Sequence, residues 1–562
     1  MPGFNLIIRN DSPFIEGYDY DALIHEVQHV SADVELNTQS WDGYPFRRFS
    51  TEKYDVFLEG YIYNVDFEKA MPEILDLLER DETHNLSDKL KSYDGEFVII
   101  VISKSDNTIS IINDSWGRLP VYKYMRGNTL IITRNISFIT KQISLETDKM
   151  GLSCSLLFGY SLGLDTIWRN VTRMAPNAFI KINPATEGHE EESSFKIPQL
   201  NGSKKASDNA EKIGKLFDES HINRMNALPN LALSLSGGMD SRSMAASLKK
   251  SKISLPIYTY SKTGNDYERD TVAAKTVIES LEMEDLHEFI TLGNYSESGA
   301  LELLSIKQGF NYLSMSFIIP YLKLHRERNQ SILTGEGGGK FMLSEFPLQK
   351  INNIRALSNY ILKHHGISSL SQVSKLTSIA KSALRDKLES ALMDYPYESM
   401  AEKYVFFILR EERINWEFEG EDRNRYYAWS TSPYYSPEFI AASFEVSMDE
   451  KKYGNLFKEL LKNYPGKLYE VSNPNWKTAP TDTTGIEKVY NRQRLKGFLP
   501  QRVVNIKKLV NKVDFQNEQI KNQQFDEFKT WDQIDKTKVP NKAVNPFYWQ
   551  LYTLLRVFKS NS

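Results

Sequence analysis

Residues Leu231–Lys250 read LALSLSGGMDSRSMAASLKK. The first part is a short apolar strand, and from Met239 the chain opens a helix. Between them stands Ser236-Gly237-Gly238. A turn of this kind leaves backbone N–H groups free to converge on an anion, and the following helix N-terminus adds its dipole. Gly237 and Gly238 permit close backbone approach, and Ser236 and Ser241 add hydroxyl donors. Asp240 beside an anion implies a cation such as Mg²⁺ between the two charges. The plainer reading is a glycine-rich strand-to-helix turn capped by Asp or Ser.

The flanking sequence favours the anion site. Ala210–Met225 reads as a helix before the strand; Leu255–Ser261, His287–Leu292 and Ser331–Gly335 read as further strands, with helices over Tyr267–Leu281 and Glu297–Gln308. Alternation of this length predicts a doubly wound parallel sheet, whose ligands sit at the carboxyl ends of the strands. Upstream, Val56–Val65, Gly95–Lys104, Thr108–Asp114 and Thr129–Asn135 are β-branched and aromatic runs separated by turn signals, with helical interruptions at Glu73–Arg80 and Lys149–Gly159. Closely spaced strands predict an antiparallel, layered α+β domain. From Asn183 to Asp208 periodicity lapses into Pro, Gly, Ser and mixed charge, which reads as a linker. The expected organisation is therefore α/β with two domains, residues 1–195 and 206–562, the second ending in a mostly helical extension.

Composition removes several function classes. The chain has 562 residues, a formal net charge of −4 and one cysteine. One cysteine excludes an internal disulfide framework, a Cys-based zinc site and a CxxC redox pair. Near-neutral charge argues against a chain-wide nucleic-acid footprint. No stretch reaches the ~20 apolar residues of a membrane span, and no secretory signal follows Met1. A cytoplasmic protein with neither nucleic-acid nor membrane partners is expected. Lys488–Lys512 holds eight Lys/Arg and no acid. It reads either as a solvated helical face or as a landing strip for an anionic substrate or partner.

The motif SGGMDS resembles the pyrophosphate-binding loop of ATP-pyrophosphatases. Downstream, TYSKTGNDYERDTVAAKTV (Thr259–Val277), LTGEGGGKF (Leu333–Phe341) and SPYYSPEFI (Ser432–Ile440) narrow the resemblance to the asparagine synthetase-like amidotransferases. EGYIYN (Glu59–Asn64), YDGEFVIIV (Tyr93–Val101), NDSWGRLPVY (Asn113–Tyr122) and TIWRNVTRMAPNAFI (Thr166–Ile180) resemble that family's glutamine-hydrolysing N-terminal-nucleophile domain. The resemblance implies an N-terminal-nucleophile-hydrolase-like first domain and an ATP-pyrophosphatase second domain.

Three departures qualify what it implies. The family's glutaminase uses a mature N-terminal cysteine; here Met1 precedes Pro2, and Cys154 reads as core. Glu59 stands where the family has the oxyanion-stabilising Asn, and a carboxylate there repels developing negative charge. Glutamine hydrolysis is not expected. The Gly-Glu-Gly loop normally continues Ser-Asp-Glu, whose Asp shares the metal–pyrophosphate site. Here Gly338, Gly339 and Lys340 follow, so Asp240 lacks its usual partner, and Lys340 reads either as a substitute cation or as a solvated surface lysine. The transition-state lysine's register holds Tyr453, with Lys452 beside it and Lys458 further on; Lys452 is the preferred candidate.

The expected chemistry is an amide-forming ligase using ATP and Mg²⁺. The resemblance puts the nucleotide on Leu235, Ser236, Gly237, Gly238, Asp240, Ser241, Tyr260 and Gly335, the metal on Asp240, and the catalytic roles on Glu336 and Lys452. A small-molecule or peptide carboxylate is adenylylated, pyrophosphate leaves, and ammonia or an amine takes the acyl group. Alternatives are an intramolecular cyclase resembling β-lactam synthetases and lasso-peptide cyclases, or a non-catalytic scaffold that retains the fold.

Overall fold

The computed structural model describes residues 1–8, 24–31, 33–184, 188–197, 199–228, 230–262, 265–293, 295–498, 512–514, 538–539 and 542–560. In the first part of the chain the described strands are β1 (Gly3–Ile8), β2 (Ile24–Ser31), β3 (Val34–Ser40), β4 (Phe46–Ser50), β5 (Tyr54–Ile62), β6 (Gly95–Ser103), β7 (Ile109–Asn113), β8 (Tyr122–Arg126), β9 (Thr129–Thr133), β10 (Val171–Arg173), β11 (Ala178–Asn183) and β12 (Gly188–Ser193). They form two six-stranded sheets, ordered β10-β8-β9-β1-β3-β2 and β12-β11-β7-β6-β5-β4, with every pairing antiparallel.

The layering follows from β6, GEFVIIVIS, which is apolar on both faces. Phe97, Ile99 and Val101 pack with Ala70, Met71 and Ile74 of the helix Phe67–Glu79 and with Leu86 and Leu90 of the next helix. Val98, Ile100 and Ile102 face the other way, into a core that includes Leu6 and Ile131 of the partner sheet. Successive side chains of a strand point to opposite faces, so a strand apolar at both parities belongs between two layers. The segment read as a linker contains a strand: β12 (GHEEES) pairs along β11, Ala178 opposite Ser193 through Asn183 opposite Gly188. Its charged residues suit a sheet edge, and its lack of apolar alternation hid it.

The second half holds a five-stranded sheet: β13 (Leu231–Ser234), β14 (Ile257–Lys262), β15 (His287–Leu292), β16 (Ser331–Leu333) and β17 (Ser430–Thr431). Its order is β15-β14-β13-β16-β17, all parallel. Helices Ala206–Ala227, Met239–Lys250 and Asn265–Leu281 contact one another in sequence. Glu297–Lys307 and Ile319–Glu327 each contact Phe418–Tyr427. These are the two covering layers. The chain moves outward from β13 through β14 to β15, then returns to β16 on the other side of β13. The strand order therefore reverses between β13 and β16, and at such a switch point the loops leaving the two strands diverge to open a crevice.

The two halves are joined by buried charge. Arg118 contacts Glu96 and donates to Glu421 at 2.6 Å; Arg134 donates to Glu59 at 3.0 Å and contacts Asp422; Arg173 contacts Glu419; within the second half, Lys307 donates to the same Asp422 at 2.8 Å. All of these side chains are at most 4% exposed. The helix Asn545–Ser560 also crosses between halves and packs on Lys149–Phe158, with Gln550 donating to Ser155 Oγ at 2.5 Å.

Candidate active site at the sheet's switch point

The loop after β13 is built to approach something closely. Gly237 has φ +71°, a left-handed conformation, and a Cβ there would stand 2.6 Å from the backbone nitrogen of Ala274. Glycine is required on both counts. Gly238 caps the helix Met239–Lys250 with no side-chain bond to its first N–H groups, so those donors remain for a ligand. Ser236 is exposed, and its backbone N–H donates to Ser241 Oγ at 3.1 Å. Arg242 braces the loop from beneath. Its guanidinium donates to Gly237 O at 2.7 Å, to Leu468 O at 3.0 Å, to Val471 O at 2.7 Å and to Ser472 O at 2.9 Å.

Asp240 lies in the first turn of that helix, and the second glycine loop closes over it. A Cβ on Gly335 would stand 3.0 Å from both Asp240 Cβ and the Ser241 nitrogen. One on Gly338 would overlap Asp240 Oδ1 and reach 2.8 Å from Tyr434 Cζ. The run Gly335–Gly339 thus lets two strand-end loops meet at one carboxylate. Tyr434 donates to Asp240 O at 2.8 Å. Asp240 Oδ1 is buried without a hydrogen-bond partner, and burial pushes the carboxyl up to about 7. An orphaned, raised carboxylate between two glycine loops is a functional-site signal.

The second loop also carries Glu336, whose side chain is exposed to the crevice. Its carbonyl accepts from Ser432 Oγ at 2.5 Å. The protein packed around it and the charges of Glu417 and Glu421 raise its pKa. Arg413 offsets them: it acts electrostatically on both Glu336 and Asp240, donates to the Tyr435 hydroxyl and pairs with Glu417 at 2.5 Å. Arg413 lies in a π-helix, Ile408–Glu417, inserted between the helices Met400–Phe407 and Phe418–Tyr427. π-Turns usually occur as single-turn insertions, often at functional sites. The sequence around it, LREERINWE, offered one signal, a cluster of four charges inside an apolar helical run.

The expected site residues fall unevenly around this crevice. Ser236, Gly237, Gly238, Asp240, Ser241, Gly335 and Glu336 lie on the two loops. Leu235 has its side chain in the core at 2% exposure, its N–H bonded to Tyr258 O and its carbonyl to Thr259 Oγ1, so its side chain presents no open face. Tyr260, in β14, packs its ring on Tyr321 at 5.1 Å. Lys452 is on the surface, 51% exposed and paired with Asp449 at 2.5 Å. Lys458 pairs with its neighbour Glu459 at 3.6 Å. Neither is brought to the loops by any described contact.

The lysine of this later segment that touches the loop region is Lys451. It is fully buried and donates to Phe341 O at 2.7 Å, in the short helix Gly338–Met342. Burial lowers its pKa to about 7. Lys340 is held by Glu412 at 3.3 Å. In the basic run, Lys488, Arg492 and Arg494 are exposed on the helix Thr483–Phe498; the side chains of Lys496, Arg502, Lys507, Lys508 and Lys512 lie outside the described residues. Among the described residues no group of three or more His, Cys, Asp or Glu is placed to hold a metal ion by itself.

In the first half, Glu59 Oε1 accepts from Tyr44 at 2.5 Å and from Arg134 at 3.0 Å, and Gly3 packs directly against Glu59 and Arg134. Cys154 is core, 1% exposed, its thiol pushed up to about 12 by burial. A thiol held so far from its reactive form is inert. A separate cavity of about 450 Å³, lined by Trp116, Phe195, Ile440 and Phe444, opens between the halves and includes none of the loop residues.

No protein-family model and no curated protein matches the chain. Among solved structures, NMN synthetase from Francisella tularensis is similar at a TM-score of 0.20 and 14% identity, over 36% of this chain and 93% of that one. Glutamine phosphoribosylpyrophosphate amidotransferase from B. subtilis, complexed with ADP and GMP, gives 0.18 and 9% over 66% and 81%. A structure described as the allosteric regulatory enzyme of purine biosynthesis gives 0.21 and 10% over 46% and 66%. With overlaps this small, the functional reading rests on the chain's own residues.

Proposed function

We propose that this chain is an ATP-dependent carbon–nitrogen ligase, cytoplasmic in location, that activates a carboxylate as its adenylate, releases pyrophosphate and passes the acyl group to ammonia or an amine. One observation carries the reading: two glycine loops leave adjacent parallel strands at the switch point and meet at Asp240. Free N–H groups at Gly238–Ser241 suit the phosphates, and Tyr260, at the neighbouring strand end, suits the base. Asp240 fits Mg²⁺ as a single carboxylate with an unpartnered oxygen, since Mg²⁺ at nucleotide sites is commonly held by one or two carboxylates, substrate phosphates and waters. When bound, the ion would supply charge neutralisation to the leaving pyrophosphate.

The chain's own residues divide the remaining work. Adenylylation joins a substrate carboxylate oxygen to the α-phosphorus and breaks the bond to the β-phosphate; buried cations near the loops offset the charge that moves onto the leaving group. Lys451, buried and bonded to Phe341 O beside the second loop, is the candidate for this role in place of Lys452. Glu336 faces the crevice with a raised pKa, so it can accept the proton of an attacking amine near neutral pH. The first half supplies no nitrogen in this reading: Glu59 is locked to Arg134, and Cys154 is buried. The amine therefore comes from solution or from the same substrate.

Pyrophosphate release from ATP with a panel of free and peptide-borne carboxylates tests the reading. Release with at least one acid is expected, and Asp240→Ala should lower it more than 100-fold, the scale of losing a principal electrostatic group, with a thermal transition no lower than that of wild type. No release with any acid and no ATP binding by calorimetry would overturn it.

A further inference from the structure

Lys340 follows directly on the glycines that press against Asp240. Its ammonium donates to Glu412 Oε1 at 3.3 Å, and the other oxygen of Glu412 meets His365 Nδ1 at 3.0 Å. The far ring nitrogen of His365 meets the Tyr404 hydroxyl at 2.8 Å. This chain runs from the second glycine loop, across the π-helix, into the helical extension. One carboxylate is thus shared by two basic groups. The bonds from His365 and Lys340 hold Glu412 at about 2, against the burial that would raise it. Lys340 is 21% and His365 17% exposed, so neither is sealed away.

A lysine beside an anion-binding loop, yet bonded to a carboxylate on another element, is a cation in reserve. An incoming polyanion competes with Glu412 for it, and four rotatable bonds let it move. The carboxylate it leaves would then be half-buried and half-paired, which is costly unless something takes up the charge. His365 is already bonded to it.

We propose that Lys340 is the anion-receiving cation of the second loop, parked on Glu412 until a pyrophosphate-bearing ligand arrives, and that His365 is the positioning residue that retains Glu412 when Lys340 departs. The inference rests on the nucleotide reading above. Groups facing Lys340 are Glu345, Glu412, Glu417 and Arg413; those facing His365 are Glu412, Glu345, Tyr404 and the Phe407 ring. His365 keeps its bond to Glu412 when Lys340 leaves, so the Lys340-dependent part of anion affinity depends on His365.

Calorimetric titration of the whole protein with inorganic pyrophosphate at fixed Mg²⁺ and fixed pH tests this. Lys340→Met should bind about tenfold more weakly, the scale of one charge-assisted contact. The ratio of wild-type to Lys340→Met affinity should fall toward one when both proteins also carry His365→Phe, a change that a merely structural histidine would not produce. Lys340→Met binding as tightly as wild type, or a ratio left unchanged by His365→Phe, would overturn the proposal alone. Wild type binding neither pyrophosphate nor ATP would remove the nucleotide reading and this proposal with it. Glu412→Gln, which frees Lys340 without altering the loop, should bind at least as tightly as wild type; weaker binding with an unchanged thermal transition would overturn the proposal.

Discussion

Arg242 has its guanidinium committed to main-chain oxygens of two separate segments, Gly237 in the loop and Leu468–Ser472 beyond it. A lysine cannot reproduce that fork. Arg242→Lys is expected to cost about 3 kcal/mol of stability, read by denaturant unfolding, because charged hydrogen bonds contribute roughly 1.5–3 kcal/mol each. Asp240 behaves oppositely. Folded, it keeps its proton to about pH 7, whereas unfolded it loses it near 3.9. The folded state therefore binds more protons between those values, and stability falls as pH rises through the window. Asp240→Asn should melt above wild type at pH 8, with the difference closing toward pH 4; a constant difference would refute the assignment. The sequence shows the motif but not this division of labour. Arg242 sits inside SGGMDSR, yet its partners Leu468, Val471 and Ser472 lie more than 200 residues away, beyond any local pattern.

At the scale of elements, what was legible had periodicity of its own. Gly95–Lys104 is found as β6, Gly95–Ser103, and His287–Leu292 as β15 with the same bounds. Both are apolar or β-branched runs whose character is fixed by their own residues. What was missed depends on neighbours. β12 is a charged strand held by pairing along β11, and β17 is two residues long and exists because β16 lies beside it. The π-helix could not be read either, since its extra residue per turn is fixed by tertiary bonds: Glu411 to Gly163 N–H at 2.6 Å, Glu412 to His365, and Arg413 to Tyr435. Deleting Arg410 shifts all three out of register together. The fall in melting temperature should exceed that of Glu411→Gln, Glu412→Gln or Arg413→Lys singly; a smaller fall would mean the π-turns are incidental.

Across the whole molecule, buried charge lies within a junction that is otherwise apolar, where Trp116 packs on Phe341 and Tyr44 on Trp429. Arg134 holds Glu59 from the first half and Asp422 from the second. Removing one member of a buried ionic set costs about 3–5 kcal/mol, because the others stay buried and unpaired. Arg134→Met should therefore destabilise both halves, and calorimetry of wild type should show one cooperative transition rather than two. Two resolved transitions would show that the halves melt independently. The one-cysteine composition fits this picture, since no described link between the halves needs a covalent cross-tie.

The same junction sets an order of events during synthesis. Arg118 and Arg173 leave the ribosome long before their partners Glu421 and Glu419. With separations of 303 and 246 residues, at about 5–20 residues per second, the delay is on the order of ten to sixty seconds. Through that interval the nascent first half carries guanidinium groups waiting for carboxylates not yet made. Translation speed between residues 173 and 419 thereby becomes a variable of folding yield.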